Sequence, residues 1–377
     1  MRIIHAAPFF SPHVGGVESH VRALVSEMAR EGHEVTVVTS RYDPSLPVEE
    51  HREGYRIVRG KTWGVLFNTP IDPGVGTVLR SMEADVLHLH FPPPLTSYFA
   101  VRAIPRRHPP IALTYHCDLY LPGVGGRLLT GLYQRVFLPR VLNRSNRIIV
   151  HTQSYGSTSA PLRGRNLTVI PSVVDVNRFR PGLGGPELRK KLALEDKRVL
   201  AFAGRLVPHK GVDVLLRVLP VLPADVVLLV IGSGPRLRTL INLSRRLGIR
   251  DRVRFLSDVS DEEFPRLLSV ADLFVYPALN RLEGFGLAVA ESMASGLPVV
   301  ITDMPGVREV IEPGREGLLV EPLLQGDLAQ RLRELLDDPE RRRRMGIAAR
   351  RRAEERYALP AVVRSLITLY EGLTVTG

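Results

Sequence analysis

Arg2-Ile-Ile-His-Ala-Ala7, Val17–Glu31 and Glu34-Val-Thr-Val-Val-Thr39 follow one another at the start of the chain. The first and third are short apolar runs rich in β-branched residues, and the second is a helical pattern. This succession predicts a βαβ unit. Working outward, strands are expected near Tyr55–Arg59, Asp85–His90, Ile111–His116, Arg147–His151 and Leu167–Pro171, with helices near Leu95–Arg107, Arg127–Leu142 and Tyr155–Leu162. Pro181-Gly-Leu-Gly-Gly-Pro186 then breaks the pattern, as a linker would. The rhythm restarts with strands near Val199–Ala203, Val226–Ile231, Val253–Leu256, Leu273–Tyr276, Pro298–Ile301 and Leu318–Val320. Helices are expected between them, and Pro339–Gly372 reads as a helical tail. Alternating strands and helices imply parallel sheets covered on both faces. The fold class is α/β, with domains expected at 1–180 and 181–360 and a terminal helix over 361–377.

Composition narrows the function. The 377 residues are 44% hydrophobic and 24% charged, enough for two globular cores. One cysteine, Cys117, excludes a disulfide framework and a cysteine-rich metal site. No secretory signal is evident, and no apolar run reaches the roughly 18–20 residues a bilayer span needs. A cytoplasmic, at most peripheral, location is expected. The net charge is +12, and much of it is local. Between Asp85 and Asp175 the only acidic residue is Asp118, against ten arginines: 102, 106, 107, 127, 135, 140, 144, 147, 163 and 165. An anionic membrane surface fits the juxtaposed Arg and Leu of Arg127–Arg147. General arginine enrichment is the plainer account. Nucleic acid fits poorly, because few aromatics stand among the arginines to stack bases.

Three constellations carry chemistry. Glu283-Gly-Phe-Gly-Leu-Ala-Val-Ala-Glu291 follows a predicted strand and opens a helix. Gly284 and Gly286 permit close backbone approach, and the amides of Phe285, Gly286 and Leu287 would face an anion at the helix start. The two glutamates suit hydroxyls at either end of a diphosphate, as in a sugar nucleotide. Alternatively, Glu283 caps the helix and Glu291 is merely exposed. Ala203-Gly-Arg-Leu-Val-Pro-His-Lys-Gly211 places Arg205 and Lys210 at the carboxyl end of a strand, where open α/β sheets bind ligands. Two cations there could neutralise a leaving diphosphate without a metal. No Asp-x-Asp pair exists to hold one. Gly15-Gly16 opens the first helix, a weaker anion signal. Gly232-Ser-Gly234 lacks the third glycine of a dinucleotide fingerprint and gives no support for a nicotinamide cofactor.

Together these segments resemble the family 4 retaining glycosyltransferases over nearly the whole chain. Glu283–Glu291 matches that family's Glu-x7-Glu signature, Ala203–Gly211 its Gly-Arg-Leu…Lys-Gly motif, and Gly15–His20 its glycine loop, closest to the branch that mannosylates phosphatidylinositol. The resemblance implies a GT-B fold, two Rossmann-like domains facing each other across a cleft, with the terminal helix packing back on the first. It implies that Arg205 and Lys210 hold the donor phosphates, Glu291 the ribose and Glu283 the transferred sugar. His116 would lie near the reaction centre, and the domains would close over the donor. Gly15, Gly16, Phe285, Gly286 and Leu287 join these as donor-binding positions. No metal and no cofactor are expected, since the nucleotide sugar is a substrate. The family's Pro-Asn-Gly-Val-Asp becomes Pro171-Ser-Val-Val-Asp175, so no ligand contact is placed on that turn. The function implied is hexosyl transfer from a nucleoside-diphosphate sugar, GDP-mannose before UDP-sugars, to a lipid, lipid-linked or other glycoconjugate acceptor. A sugar-nucleotide epimerase of like architecture would turn over donor without acceptor. A non-catalytic polyanion-binding protein leaves Glu283 and Glu291 without a role.

Overall fold

The computed structural model describes every residue except 14, 67–68, 106–108, 122 and 376–377. Arg106 and Arg107 of the basic stretch therefore lie outside the described residues. The chain forms two compact units, one combining Met1–Val173 with Leu359–Gly377 and the other comprising Val174–Ala358.

The first unit is built on β1 (Arg2–Ala7), β2 (Glu34–Arg41), β3 (Glu49–Arg52), β4 (Tyr55–Lys61), the small ribbon β5 (Gly64–Leu66) and β6 (Thr69–Ile71), then β7 (Val86–Phe91), β8 (Ile111–Tyr115), β9 (Arg147–Val150) and β10 (Leu167–Val169). Its main sheet runs β10-β9-β8-β7-β1-β2-β4-β3 and is parallel except for β3, which pairs antiparallel with β4. All residues of β7 and β8 are buried, as expected where helices cover both faces. Helices Gly16–Arg30 and Leu359–Val375 cover one face through Val21, Leu24, Val363, Leu366 and Tyr370. The charged edge strand β3 and the β5–β6 ribbon had no apolar pattern to announce them.

The second unit comprises β11 (Arg198–Ala203), β12 (Val226–Ile231), β13 (Val253–Leu256), β14 (Leu273–Tyr276), β15 (Val299–Thr302) and β16 (Gly317–Val320), in the order β13-β12-β11-β14-β15-β16. Strand order reverses between β11 and β14, and in the first unit between β1 and β7. At such switch points the loops beyond the carboxyl ends of adjacent strands diverge and leave a crevice.

The division between units falls earlier than the Pro181–Pro186 turn. Val174 already donates its N–H to the Tyr357 carbonyl at 2.8 Å, and Phe179 lies in the second core. That pairing also explains why the helical tail is two helices, Pro339–Arg356 and Leu359–Val375, broken where the chain returns to the first unit. The helix expected over Arg127–Leu142 has two characters. Gly123–Leu132 buries none of its residues, whereas Tyr133, Leu138, Val141 and Leu142 are core. Between them Tyr133–Phe137 forms a widened π-type turn just before Pro139, which has no N–H to continue the regular ladder.

Candidate active site

In the second unit, the loops that follow β11 and β14 meet. Gly211 adopts φ +69°, and a Cβ there would stand 1.9 Å from the Pro277 carbonyl oxygen. Only glycine allows that approach. Leu279 adds a backbone hydrogen bond to the His209 carbonyl at 2.8 Å, so the two loops hold one geometry.

The loops converge on Glu283, which is 9% exposed. Its Oε1 lies 2.8 Å from Lys210 Nζ and 3.2 Å from His209 Nε2. The Tyr276 hydroxyl donates to Oε2 at 2.6 Å, and Lys210 also reaches that hydroxyl. Burial pushes the Glu283 carboxyl upward. The Lys210 charge and the hydrogen bonds from His209, Lys210 and Tyr276 outweigh it, holding the group at about 2. Burial beside Glu283 pushes the Tyr276 phenol well up, so it remains a donor. Lys210 and Glu283, assigned from the sequence to different parts of a donor, are thus an ion pair. Arg205 is exposed, and its guanidinium has no partner among the described residues.

Glu291 sits in the helix Leu287–Ala294 in an opposite state. Burial pushes its carboxyl up to about 8, opposed by Arg178 and reinforced by Asp261. The two glutamates at the ends of one motif therefore differ in proton occupancy near neutrality. Gly286 caps this helix with φ +83°, so the first helical amide is that of Leu287. The Phe285 ring is not a site wall. It is buried and packs edge-on against Tyr357 at 5.3 Å. Gly306 closes on the same loop, since a Cβ there would strike the Gly284 carbonyl at 2.7 Å. Gly232 and Gly234 likewise serve close packing, against the backbone of Gly204 and Leu206.

In the first unit Gly15 precedes the helix Gly16–Arg30 in extended conformation. A Cβ on Gly16 would meet nothing within 4 Å, so its face is open, while Gly15 lies against the Glu18 carboxylate. Glu18 in turn contacts His13 at 3.0 Å. β8 ends at Tyr115, one residue short of the expected strand, and His116 follows it with both ring nitrogens engaged, Nε2 with His90 at 3.1 Å and Nδ1 with His151 at 3.0 Å.

Sequence reasoning missed His209 and Tyr276. His209 directly precedes Lys210, and Tyr276 is the one polar ring at the carboxyl end of a switch-point strand. Those placements were the available signals.

Residues 14–178 match the model for Glycosyltransferase Family 4, and residues 185–352 that for Glycosyl transferases group 1. The chain is also 31% identical to a GDP-mannose-dependent alpha-(1-6)-phosphatidylinositol monomannoside mannosyltransferase of Mycolicibacterium smegmatis, covering 90% of this chain and 91% of that one. The chain belongs to glycosyltransferase family 4. This glycosyltransferase shares 31% identity with the phosphatidyl-myo-inositol mannosyltransferase of Mycobacterium leprae as well, over 100% of its own length and 98% of the relative's. A sucrose-phosphate synthase from Thermosynechococcus elongatus superposes with a TM-score of 0.84 at 22% identity, each chain covered fully. HepE from Anabaena, solved with UDP and glucose, gives 0.81 at 19% identity over 99% and 100% of the two chains. The fold is GT-B, and the glycosyltransferase is a hexosyltransferase.

Proposed function

We propose that this glycosyltransferase moves a hexose, with retention, from a nucleoside-diphosphate sugar to a lipid or lipid-linked acceptor, and that GDP-mannose is the preferred donor. The observation that carries the transfer reading is the Lys210–Glu283–Tyr276 cluster beside the exposed Arg205 at the β11/β14 switch point. Donor preference and acceptor class are supported by the names of the mannosyltransferase relatives. Glu283 offers an ionised carboxylate to sugar hydroxyls, while Lys210 and Arg205 offer positive charge to the diphosphate. That charge counts most as the phosphate leaves. The leaving phosphate takes the acceptor proton, in a front-face step. His116 supplies no lone pair for that proton, because its nitrogens are committed to His90 and His151.

A transfer assay with GDP-mannose, UDP-glucose and extracts of anionic lipids tests the reading. Sugar should appear on a lipid from GDP-mannose, and the reaction should continue in excess chelator. Donor consumption without any acceptor would point to the epimerase instead. Loss of activity with chelator, restored by magnesium or manganese, would overturn the metal-free donor site.

Glu291 gives a pH signature. Its ionised form is the better acceptor for a ribose diol, and in the free protein that form grows as pH rises toward about 8. Binding of GDP should therefore tighten with rising pH below 8, by up to about tenfold per unit. Glu291→Gln should remove that slope, the ligand's own ionisation being common to both proteins. Calorimetry at pH 6.5 and 8 checks it. Parallel slopes would release Glu291 from the diol, and Glu283→Gln should lower transfer far more than GDP affinity.

The membrane reading rests on the helix Gly123–Leu132 and the turn after it. Val124, Leu128, Leu129 and Leu132 are each at least half exposed, interleaved with exposed Arg127, Arg135 and Arg140. The alternative, burial of this face in its own sheet, holds for Tyr133 and from Leu138 onward. Arg144 is occupied with the carbonyls of Ile104 and Pro105. Three arginines near an anionic surface contribute about 3 kcal/mol, enough for reversible docking. No helix among the described residues is long and apolar enough to cross a membrane. Sedimentation with anionic vesicles at low salt should carry the protein down, high salt should release it, and replacing Arg127, Arg135 and Arg140 by Ser should weaken it. A wild type that stays in the supernatant would end the membrane reading.

A further inference from the structure

Six of the eleven histidines gather inside the first unit: His5, His20, His88, His90, His116 and His151. Sheet register brings them together. His5 on β1 stands opposite His88 on β7, and His90 lies two residues on, on the same face. The rings of His88 and His90 stack at 4.4 Å, and His5 lies 4.9 Å from His88. This face is roofed by the helices that carry His20 and Tyr370.

Hydrogen-bond partners determine the tautomers. His151 Nδ1 meets the Ile170 carbonyl at 3.1 Å, and a carbonyl only accepts, so that nitrogen bears the hydrogen. In a neutral ring His151 Nε2 is then an acceptor, and His116 Nδ1 donates to it at 3.0 Å. By the same step His90 Nδ1 donates to His116 Nε2 at 3.1 Å, and His5 Nδ1 to His90 Nε2 at 3.0 Å. Four imidazoles thus point one way. The chain starts at a bare lone pair on His5 Nε2, fully buried and without a hydrogen-bond partner among the described residues. A buried acceptor left unpaired is costly and calls for an occupant.

His88 lies beside that lone pair. Its nitrogens meet the Thr114 hydroxyl at 2.7 Å and the Tyr370 hydroxyl at 2.5 Å. Each hydroxyl can donate or accept, so His88 can free either nitrogen while the other stays anchored. One ring nitrogen from each of His5, His88 and His90 lies within 4.8 Å of the other two. Nitrogens around a tetrahedral zinc ion, bound at about 2.0–2.1 Å, stand about 3.4 Å apart. Side-chain rotation can close that difference.

We propose that His5, His88 and His90 form a buried site for a divalent ion of the zinc, cobalt and nickel class, tying β1 to β7 at the centre of the sheet. Neutral imidazoles without a carboxylate suit these ions rather than magnesium or calcium. His5 already presents a free Nε2, and His90 has its Nδ1–H held by His116 Nε2, the kind of second hydrogen bond that orients metal-binding imidazoles. His90 Nε2 would exchange the His5 N–H for the ion. The site belongs to the first unit, whereas the loops carrying Lys210 and Glu283 belong to the second.

The full chain, unfolded in guanidinium chloride with chelator and refolded with excess Co2+, tests the proposal. One equivalent should remain after a brief chelator wash, since a buried ion leaves only when the sheet opens. It should show the intense visible absorption of four-coordinate cobalt, be replaced when refolding includes Zn2+, and raise the midpoint of thermal unfolding. X-ray absorption of the loaded wild type should find imidazole ligands. His5→Gln should abolish retention, while His151→Gln, in the same chain of rings but outside the trio, should keep it. No retained cobalt or zinc after refolding, an all-oxygen shell, or retention undiminished in His5→Gln would overturn the site and leave a buried water as the occupant of the lone pair. None of these readouts depends on glycosyl transfer.

Discussion

Lys210→Ala should lower kcat by about 100- to 1,000-fold, the usual loss when one preorganised donor to a developing oxyanion is removed. Its effect should exceed that of Arg205→Ala on stability but resemble it on rate. Arg205 is exposed and unpaired among the described residues, so its removal should leave the unfolding midpoint almost unchanged. Lys210 is part of a buried ion pair, and the Glu283 carboxylate it leaves behind keeps, among the described residues, His209 and the Tyr276 hydroxyl. Breaking a buried pair from one side costs about 3–5 kcal/mol. Steady-state rates with GDP-mannose, together with thermal unfolding, separate the two contributions. A Lys210→Ala enzyme retaining more than half the wild-type kcat would remove Lys210 from the diphosphate. A stable but slow Arg205→Ala enzyme would keep Arg205 there.

Acid should unfold the first unit well before the second. Burial lowers His5 to about 3 and His151 to about 4. It also lowers His20, His88, His90 and His116 well below the ordinary value, with neighbouring rings adding to the effect. In the unfolded chain histidine takes a proton near pH 6.5. Between that value and the folded ones the unfolded chain binds more protons, so stability falls as pH falls. At pH 5, His5 and His151 each forfeit about 2 kcal/mol, and the other four act in the same direction. A domain's whole margin is about 5–15 kcal/mol. Thermal unfolding of the metal-free chain in chelator should show one transition moving sharply down between pH 7 and 5, with the other moving much less. Midpoints that hold steady over that range would mean the cluster is already charged or already open.

The α/β architecture was legible because buried parallel strands leave little choice of residue. β12, Val-Val-Leu-Leu-Val-Ile, is apolar throughout and could be nothing else between two helical patterns. Glu283, Glu291, Arg205 and Lys210 stood out as candidates because their turns and spacing are local. Whether Lys210 faces a phosphate or Glu283 depends on how two distant loops fold together, and no window of sequence contains both. The histidine cluster was hidden for the same reason: it forms through the register of β1 with β7 and the roof of Leu359–Val375. Periodicity showed an amphipathic helix near Arg127–Leu142 but not which half would be covered. The unit boundary at Val173 has no Pro/Gly signature, because a backbone hydrogen bond to Tyr357 sets it.

The second unit is one uninterrupted stretch of chain, whereas the first is assembled from two. On a ribosome the chain emerges amino end first, so all of Val174–Ala358 is made before Leu359 appears. The inserted unit can therefore complete its core during synthesis. The unit that begins the chain must wait with the face bearing Ile3, Ala112, His5, His88 and His90 roofed only by the helix Gly16–Arg30. Leu359, Val362, Val363, Leu366 and Tyr370 then arrive together, and Tyr370 brings the hydroxyl that anchors His88. A nascent chain stopped at residue 358 would hold a finished second unit and an open first one. Completion of the amino-terminal unit thus waits on the helix Leu359–Val375, the last part of its core to be made.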